Sequence, residues 1–155
     1  MAKFIYSMQN ILDIKYKLEE QAKTEYALAK AELDEQQQIL WQLHQRRVGY
    51  SEQLTDSISA ELVLKEIRNL QDAVENMKYK IRIQAMVVKK AERKVELAEA
   101  KMTYAMKERK TYEKLKENAF EVFKQEVQAQ ESKEIDELNS FRYGMKAIKQ
   151  QVVES

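Results

Sequence analysis

The sequence predicts an all-α protein: a long antiparallel two-helix coiled coil, or helical hairpin, with an overhanging C-terminal helix. Its 155 residues include no proline and only two glycines, and 34% are charged, a composition that favours helix over sheet. A seven-residue apolar repeat runs through the second half, and two segments carry opposite charge. We interpret residues 1–155 as one elongated coiled-coil domain.

The clearest repeat lies between residues 67 and 112, where seam positions recur at alternating gaps of three and four. A sustained repeat of this kind makes the apolar seam drift around a straight helix, so the helix must supercoil about a partner to keep the seam covered. Ala91, Ala98 and Ala105 occupy every second seam position in succession. Because larger side chains would hold the helix axes further apart, these alanines indicate a close approach of that partner. The seam positions are Ile67, Leu70, Val74, Met77, Ile81, Gln84, Val88, Ala91, Val95, Ala98, Met102, Ala105, Arg109 and Tyr112.

A less regular stripe predicts a first helix over about residues 7–54. Lys15 and Gln36 interrupt this stripe, and two consecutive gaps of four around Ala22 predict a stutter that locally relaxes the supercoil. The stripe consists of Phe4, Met8, Ile11, Leu18, Ala22, Tyr26, Ala29, Leu33, Leu40, Leu43, Tyr50 and Leu54.

Small and capping residues cluster between Gly49 and Leu62, and we place a turn at about residues 55–59. The side chains of Asp56, Ser57 and Ser59 can accept hydrogen bonds at the start of a new helix. The second helix then covers about residues 60–130. Apolar periodicity resumes over residues 135–152, and the sequence allows two interpretations of this tail: a third short amphipathic helix, or the frayed end of the second helix.

The charge distribution predicts that the two helices are antiparallel. With a bend near residue 57, facing residues have numbers that sum to about 114. The acidic segment 19–35 then faces the basic segment 79–95, and opposite charges beside a seam favour that orientation. The same sum puts Met8 opposite about residue 106, so that the second helix overhangs the first through Tyr112 and beyond.

The sequence argues against an enzyme, a cofactor and a metal site. Without cysteine there is no thiolate ligand or thiol nucleophile, and the composition fits a reducing cytosol. His44 is the only histidine, so we interpret it as a flank residue of the first helix, and Trp41 as seam or flank packing. The carboxylates lie on solvated helix faces, and no glycine-rich phosphate loop is present.

The charge and hydropathy of the chain point to protein partners. A formal net charge of +1 argues against binding nucleic acid through many phosphates. No apolar run is long enough to span a membrane, and the N-terminus lacks the features of a secretory signal.

The repeat also predicts an apolar stripe on the outer side of the second helix. Tyr79, Ile83 and Met86 point away from the seam at spacings of four and three, and Val87 widens the stripe. An exposed apolar stripe marks a contact. Its occupant is the tail over residues 135–152, a second copy of the chain, or an external partner, for which an adaptable methionine suits several ligands.

Three segments resemble the flagellar type III export protein family FliJ: FIYSMQNILDIKYKLEEQAKTEYALAKAELDEQ at the start, GYSEQL before the turn, and KEIDEL near the end. The resemblance extends over nearly the whole chain. It implies a non-enzymatic, cytoplasmic coiled coil, peripherally associated with the inner-membrane export apparatus and similar to the stalk of the rotary ATPase γ subunit. The implied partners are the hexameric export ATPase, the cytoplasmic domain of the export gate, and export chaperones.

The resemblance also implies where these partners bind. A gate contact is expected early in the second helix, at Leu70 and Ala73, and the gate or a chaperone would suit the stripe of Tyr79, Ile83 and Met86. By analogy with the γ-like stalk, the chain ends face the ATPase and the hairpin end faces the gate. Two alternatives stay open: the equivalent stalk of a virulence secretion system, and a structural tether or homodimer. The apolar residues expected at the ATPase end are Phe4, Ile5, Met8, Tyr112, Leu115, Phe120 and Phe123.

Overall fold

The structure, a computed structural model, describes residues 2–59 and 63–154 and contains two helices over that part of the chain. Helix α1 covers Gln9–Ser59 and helix α2 covers Leu64–Glu154. The two helices pack against each other as a hairpin, and no described residue lies in a strand, which confirms the predicted all-α coiled coil. No helix among these residues combines the length and apolar character needed to cross a membrane.

The hairpin divides into two compact units. Residues 17–59 and 63–107, here called the hairpin unit, form one of them. Residues 2–16 and 108–154, here called the terminal unit, form the other. In each unit a part of α1 lies antiparallel to a part of α2.

The seam predicted on α2 is confirmed, because every seam position between residues 67 and 112 is buried or half-buried. In the hairpin unit, Leu33 of α1 packs with Val88 and Ala91 of α2, and Leu40 and Val95 pack against this group. Ala91 is 3% exposed, so the partner helix covers even a side chain of one carbon. The small residues at these positions therefore allow the close approach that the repeat predicts.

The seam of α1 differs from the prediction near its start. Met8, Ile11 and Leu18 are exposed, whereas Leu12 and Glu19 are buried. From residue 12 the covered positions alternate at gaps of three and four, so the predicted stutter is absent and polar side chains occupy seam positions. The covered positions are Leu12, Lys15, Glu19, Ala22, Tyr26, Ala29, Leu33, Gln36, Leu40, Leu43, Arg47, Tyr50, Leu54 and Ser57.

The predicted turn at residues 55–59 is wrong, because these residues form the end of α1. The hydroxyl groups of Thr55, Ser57 and Ser59 donate to backbone carbonyl groups four residues earlier, at 3.0, 2.7 and 3.1 Å. These side chains are thereby satisfied within α1 and do not cap a new helix. The predicted start of the second helix, residue 60, lies outside the described residues, and α2 begins at Leu64.

The later turn corrects the pairing of the helices. The facing residues Gln36 and Gln84 have numbers that sum to 36 + 84 = 120, and Glu32 and Lys94 give 32 + 94 = 126. Both sums exceed the predicted value of about 114, since α1 continues to Ser59 and α2 begins only at Leu64. With sums in the observed range, the acidic segment 19–35 faces a stretch of α2 that starts later than residue 79. Glu32 of the acidic segment and Lys94 of the basic segment form an ion pair at 3.5 Å, in the shifted register.

The tail also differs from the prediction of a second helix that ends near residue 130. Helix α2 continues to Glu154, through the polar residues 131–134, which contain no glycine or proline that would interrupt it. Every residue from 131 to 153 is exposed. The tail is thus neither a separate third helix nor frayed, and it forms the overhanging end of α2.

Gly49 supplies a test of this helix assignment. It lies inside α1, and a Cβ atom added to it would meet no atom within 4 Å. Because glycine is disfavoured in a helix interior, we expect Gly49→Ala to raise the free energy of unfolding by about 0.5–1 kcal/mol. Urea denaturation followed by circular dichroism measures this change. A lower stability of the variant would contradict a regular helix at this position.

Candidate partner-binding surfaces

A half-buried polar pair joins the two helices of the hairpin unit. The side-chain amide nitrogen of Gln84 donates to the side-chain oxygen of Gln36 at 2.7 Å and to its backbone carbonyl at 3.0 Å. Both side chains occupy seam positions between apolar layers. A polar pair of this kind specifies register, because sliding one helix would leave both amides without partners in a dry seam.

This register turns a group of apolar side chains outward. Tyr79, Ile83 and Met86 are 57%, 46% and 67% exposed, and Val87 is also exposed, as the repeat predicts. We call these four residues the outer stripe. Since no residue of the hairpin unit covers them, they form the most accessible apolar surface among the sites predicted on α2.

Positive charge accompanies the outer stripe from Lys80 onward, whereas the exposed acidic residues Asp72 and Glu75 precede it on α2. Lys80, Arg82, Lys89 and Lys90 are all exposed, and the first carboxylate after Tyr79 along α2 is Glu92. The surface therefore combines apolar contact area with positive potential, which favours an amphipathic partner that carries acidic side chains.

The two residues expected at the gate contact are less accessible than the outer stripe. Leu70 and Ala73 are both half-buried, and Leu70 occupies a seam position. Part of the surface of Leu70 is thus already used in packing against α1. The structure places both residues on the same helix as the outer stripe, within the hairpin unit.

In the terminal unit, three phenylalanines come together. The ring of Phe4 lies 5.2 Å from that of Phe120, with an interplanar angle of 64°, and 5.4 Å from that of Phe123. These are favourable aromatic geometries. Residues 2–8 precede α1, so this cluster attaches the N-terminal segment to α2. Residues Phe120 and Phe123, expected in an unpaired overhang, in fact have a partner in Phe4.

The other residues expected at this end divide into two groups. Ile5 and Met8 are exposed, as is Leu115. Tyr112 is half-buried; its carbonyl oxygen accepts a hydrogen bond from the hydroxyl of Tyr6 at 3.4 Å. Of the seven residues expected at the ATPase end, Ile5, Met8 and Leu115 are therefore the ones most open to a partner.

Charged side chains replace apolar ones in the seam beside this cluster. Lys15 pairs with Glu108 at 3.3 Å, and Arg109 pairs with Glu113 at 2.9 Å. Tyr16 hydrogen-bonds Glu113 through its hydroxyl, and the guanidinium carbon of Arg109 lies 6.0 Å from the centre of the Tyr16 ring. These groups act on both helices at once, so they help to set orientation and register in the terminal unit.

Sequence reasoning missed several of these residues. It treated Lys15 as an interruption of the α1 stripe and did not assign Glu19 to the seam, because charged side chains in a helix are usually solvated. It also missed Leu97 and Tyr104, both exposed on α2, although each follows Ile83 at a multiple of seven and so continues the outward direction of the outer stripe. That spacing was a usable signal.

The histidine and the carboxylates of the described residues were candidates for a metal site. His44 is exposed on α1. No group of three or more His, Cys, Asp or Glu residues is placed to hold a metal ion in the described part of the chain.

A comparison with protein families gives one finding that bears on these surfaces. The model of the family described as "FliJ: Flagellar FliJ protein" matches residues 4–147. Neither the curated proteins nor the solved structures contain a match to the chain.

The phenylalanine cluster yields a test of how the N-terminal segment is held. Phe4→Ala removes one ring from two aromatic contacts and should weaken this attachment by about 1–2 kcal/mol. The amides of Gln9 and Leu12, which bond to the carbonyl groups of Tyr6 and Met8, should then exchange with solvent about tenfold faster. Ile5→Ala, a change of an exposed neighbour, serves as the control and should leave both rates unchanged. Equal rates in the wild type and Phe4→Ala would contradict the attachment.

Proposed function

Because the chain belongs to the flagellar FliJ protein family, and is therefore a component of the flagellar export apparatus, we propose that it couples the export ATPase to the export gate and assists export chaperones. The observation that carries this proposal is the exposed outer stripe within a basic surface. A two-helix hairpin gains nothing in stability from apolar residues on its outer side, so these residues suit a function in binding.

The hairpin unit is the part that we assign to the gate and to chaperones. The outer stripe supplies apolar contact area, Met86 adapts its shape to different partners, and the neighbouring lysines and arginine attract acidic side chains. Leu70 and Ala73 extend the gate contact toward the start of α2. One surface can thus serve several partners in turn, because its contacts depend on flexible side chains and unpaired charge.

The terminal unit is the part that we assign to the ATPase. Three exposed apolar residues, Ile5, Met8 and Leu115, belong to the same unit as the phenylalanine cluster. This assignment follows the likeness of the family to the γ-subunit stalk, in which a coiled coil enters a hexameric ring. Two separate surfaces on one chain are what a coupling protein requires.

Other parts of the proposal follow from the chemistry of the chain. The FliJ family consists of non-enzymatic export components, and we propose that this chain likewise has no catalytic activity and binds no cofactor or nucleic acid. We further propose that it works in the cytoplasm and reaches the membrane only through the export apparatus.

The family match favours a flagellar role over the two alternatives. A stalk protein of a virulence secretion system would occupy an equivalent position, and the neighbouring genes distinguish the two. A structural tether would bind neither the ATPase nor the gate. If the full chain co-purifies with a hexameric ATPase, it is a stalk protein of a flagellar or virulence export system and not a structural tether.

The gate and chaperone surface is tested by a double substitution, Ile83→Glu with Met86→Glu. Both side chains are exposed and neither supports the seam, so helicity and melting temperature should stay nearly unchanged. Binding to the gate domain or a chaperone should weaken about 30-fold, the loss that corresponds to about 2 kcal/mol at an interface hot spot. Isothermal titration calorimetry measures the binding, and circular dichroism measures the fold.

A matched control for this experiment is Leu28→Glu with Ile39→Glu, which adds the same charge at exposed apolar positions of α1. It should leave binding within about twofold of wild type, since rim and remote charges contribute little. If both variants weaken binding equally, the outer stripe is not the site. A collapse of melting in the first variant alone would instead show that the register of α2 is wrong.

The ATPase surface is tested by Ile5→Glu with Met8→Glu in the full chain. Because these side chains are exposed, the phenylalanine cluster should remain intact and the ATPase should lose most of its stimulation, a reduction of about tenfold or more. ATP hydrolysis by the purified ATPase, with and without the chain, measures the effect. The variant Ile83→Glu/Met86→Glu is the control and should stimulate the ATPase as the wild type does. If Ile5→Glu/Met8→Glu also stimulates fully, the assignment of the terminal unit to the ATPase is refuted.

A further inference from the structure

The overhanging end of α2 carries an apolar seam that α1 does not cover. Leu138, Phe141, Met145 and Ile148 recur at gaps of three, four and three, the spacing of the covered seam. All four are exposed, and Phe141 is 65% exposed. We call them the tail seam. No function proposed above uses these residues.

The tail seam continues an interface that already exists in the terminal unit. Among the residues of α2 up to 153, Val127 is the last that is half-buried. From it, positions 131, 134 and 138 follow at gaps of four, three and four, and so lead without a break into the tail seam. The side of α2 that packs on the rest of the terminal unit is thus the side that becomes apolar again beyond residue 137. This continuity favours another helix as the occupant.

The charges of the tail are separated along its length. Residues 131–137 contain Glu131, Glu134, Asp136 and Glu137 with Lys133, a net charge of −4 + 1 = −3. Residues 142–149 contain Arg142, Lys146 and Lys149, a net charge of +3. A parallel pair of tails would place like charges side by side, which is unfavourable. An antiparallel pair separates the two acidic segments and brings acidic residues toward basic ones.

We propose that the tail seam is a self-association site, through which two copies of the chain pair by their overhanging α2 ends in antiparallel orientation. In the register that pairs Leu138 of one copy with Ile148 of the other, Phe141 pairs with Met145, and two-fold symmetry repeats both layers. Four consecutive apolar layers result. Glu137 of one copy then lies level with Lys149 of the other. The tail is self-complementary in apolar spacing and in charge. A second copy can therefore cover the tail seam and pair its charges without any other protein.

The interface is short, so its affinity should be modest. Four apolar layers bury less area than a standard stable interface, and pairing of this size is typically transient. Sedimentation equilibrium of the full chain at about 5 to about 200 µM should therefore show an average mass that rises from 18.4 kDa toward twice that value. A mass that stays at the monomer value at every concentration overturns the proposal, and is the result expected if a different protein occupies the tail seam.

Substitutions locate the interface. Phe141→Glu places a charge in two of the four layers and should raise the dissociation constant at least tenfold. Tyr143→Glu is the matched control, because Tyr143 is exposed two residues away, on another side of the helix. It should leave the dissociation constant within about twofold. Equal effects of the two changes, or loss of self-association with Ile83→Glu and not with Phe141→Glu, would place the contact elsewhere and overturn the proposal.

Disulfide formation determines the orientation, since the chain has no cysteine of its own. An equal mixture of Leu138→Cys and Ile148→Cys chains should form mixed disulfides on mild oxidation. Either variant alone should not, because its two thiols would be about ten residues, or ~15 Å, apart along the helix axis. A parallel pair gives the reverse result, with each variant cross-linking to itself, and that result would refute the antiparallel site.

Discussion

The contact between α1 and α2 along the heptad seam is the interaction on which the rest of this structure depends. A helix of this length has few tertiary contacts except along one narrow face, so its stability comes from the side chains that face the other helix. Leu33, Val88 and Ala91 form the best-packed part of that face in the hairpin unit. Small residues such as Ala91 bring the backbones close. Polar side chains within the seam have partners either on the opposite helix, as Gln84 has in Gln36, or on their own helix, as Glu19 has in Lys23.

Polar residues in the seam reduce stability and determine register. Gln36 and Gln84 satisfy each other only in one alignment, and Lys15 with Glu108 does the same for the terminal unit. Uniformly apolar layers would tolerate sliding by a heptad, whereas these pairs do not. The direction of every outward side chain follows from this alignment. The exposure of Tyr79, Ile83 and Met86 is therefore a consequence of contacts made on the other side of the same helix.

A hairpin of two helices has little interior, so its function resides in its surfaces. The outer stripe lies among lysines and arginines, the phenylalanine cluster leaves a few apolar neighbours exposed, and the tail continues the seam without a covering helix. These three surfaces differ in charge and in side-chain type, which allows them to select different partners. The chain is a member of the flagellar FliJ family, and the coupling function proposed here would use more than one of these surfaces.

The sequence by itself determined the helical class, the seam of α2 and the direction of the outer stripe. All three follow from a repeat that one helix carries in full, and Ile81 and Val88 sit in the seam because no other spacing fits them.

Only the tertiary structure decided the turn, the start of the α1 seam and the place of Phe4. The hydroxyls of Ser57 and Ser59 can either cap a helix or bond back to one, so local sequence does not distinguish the two. Lys15 lies in the seam because it pairs with Glu108, which is distant in sequence. Phe4 is half-buried because its ring contacts Phe120 and Phe123 on the other helix. Such non-local partners carry no periodic signal, and packing alone brings them together.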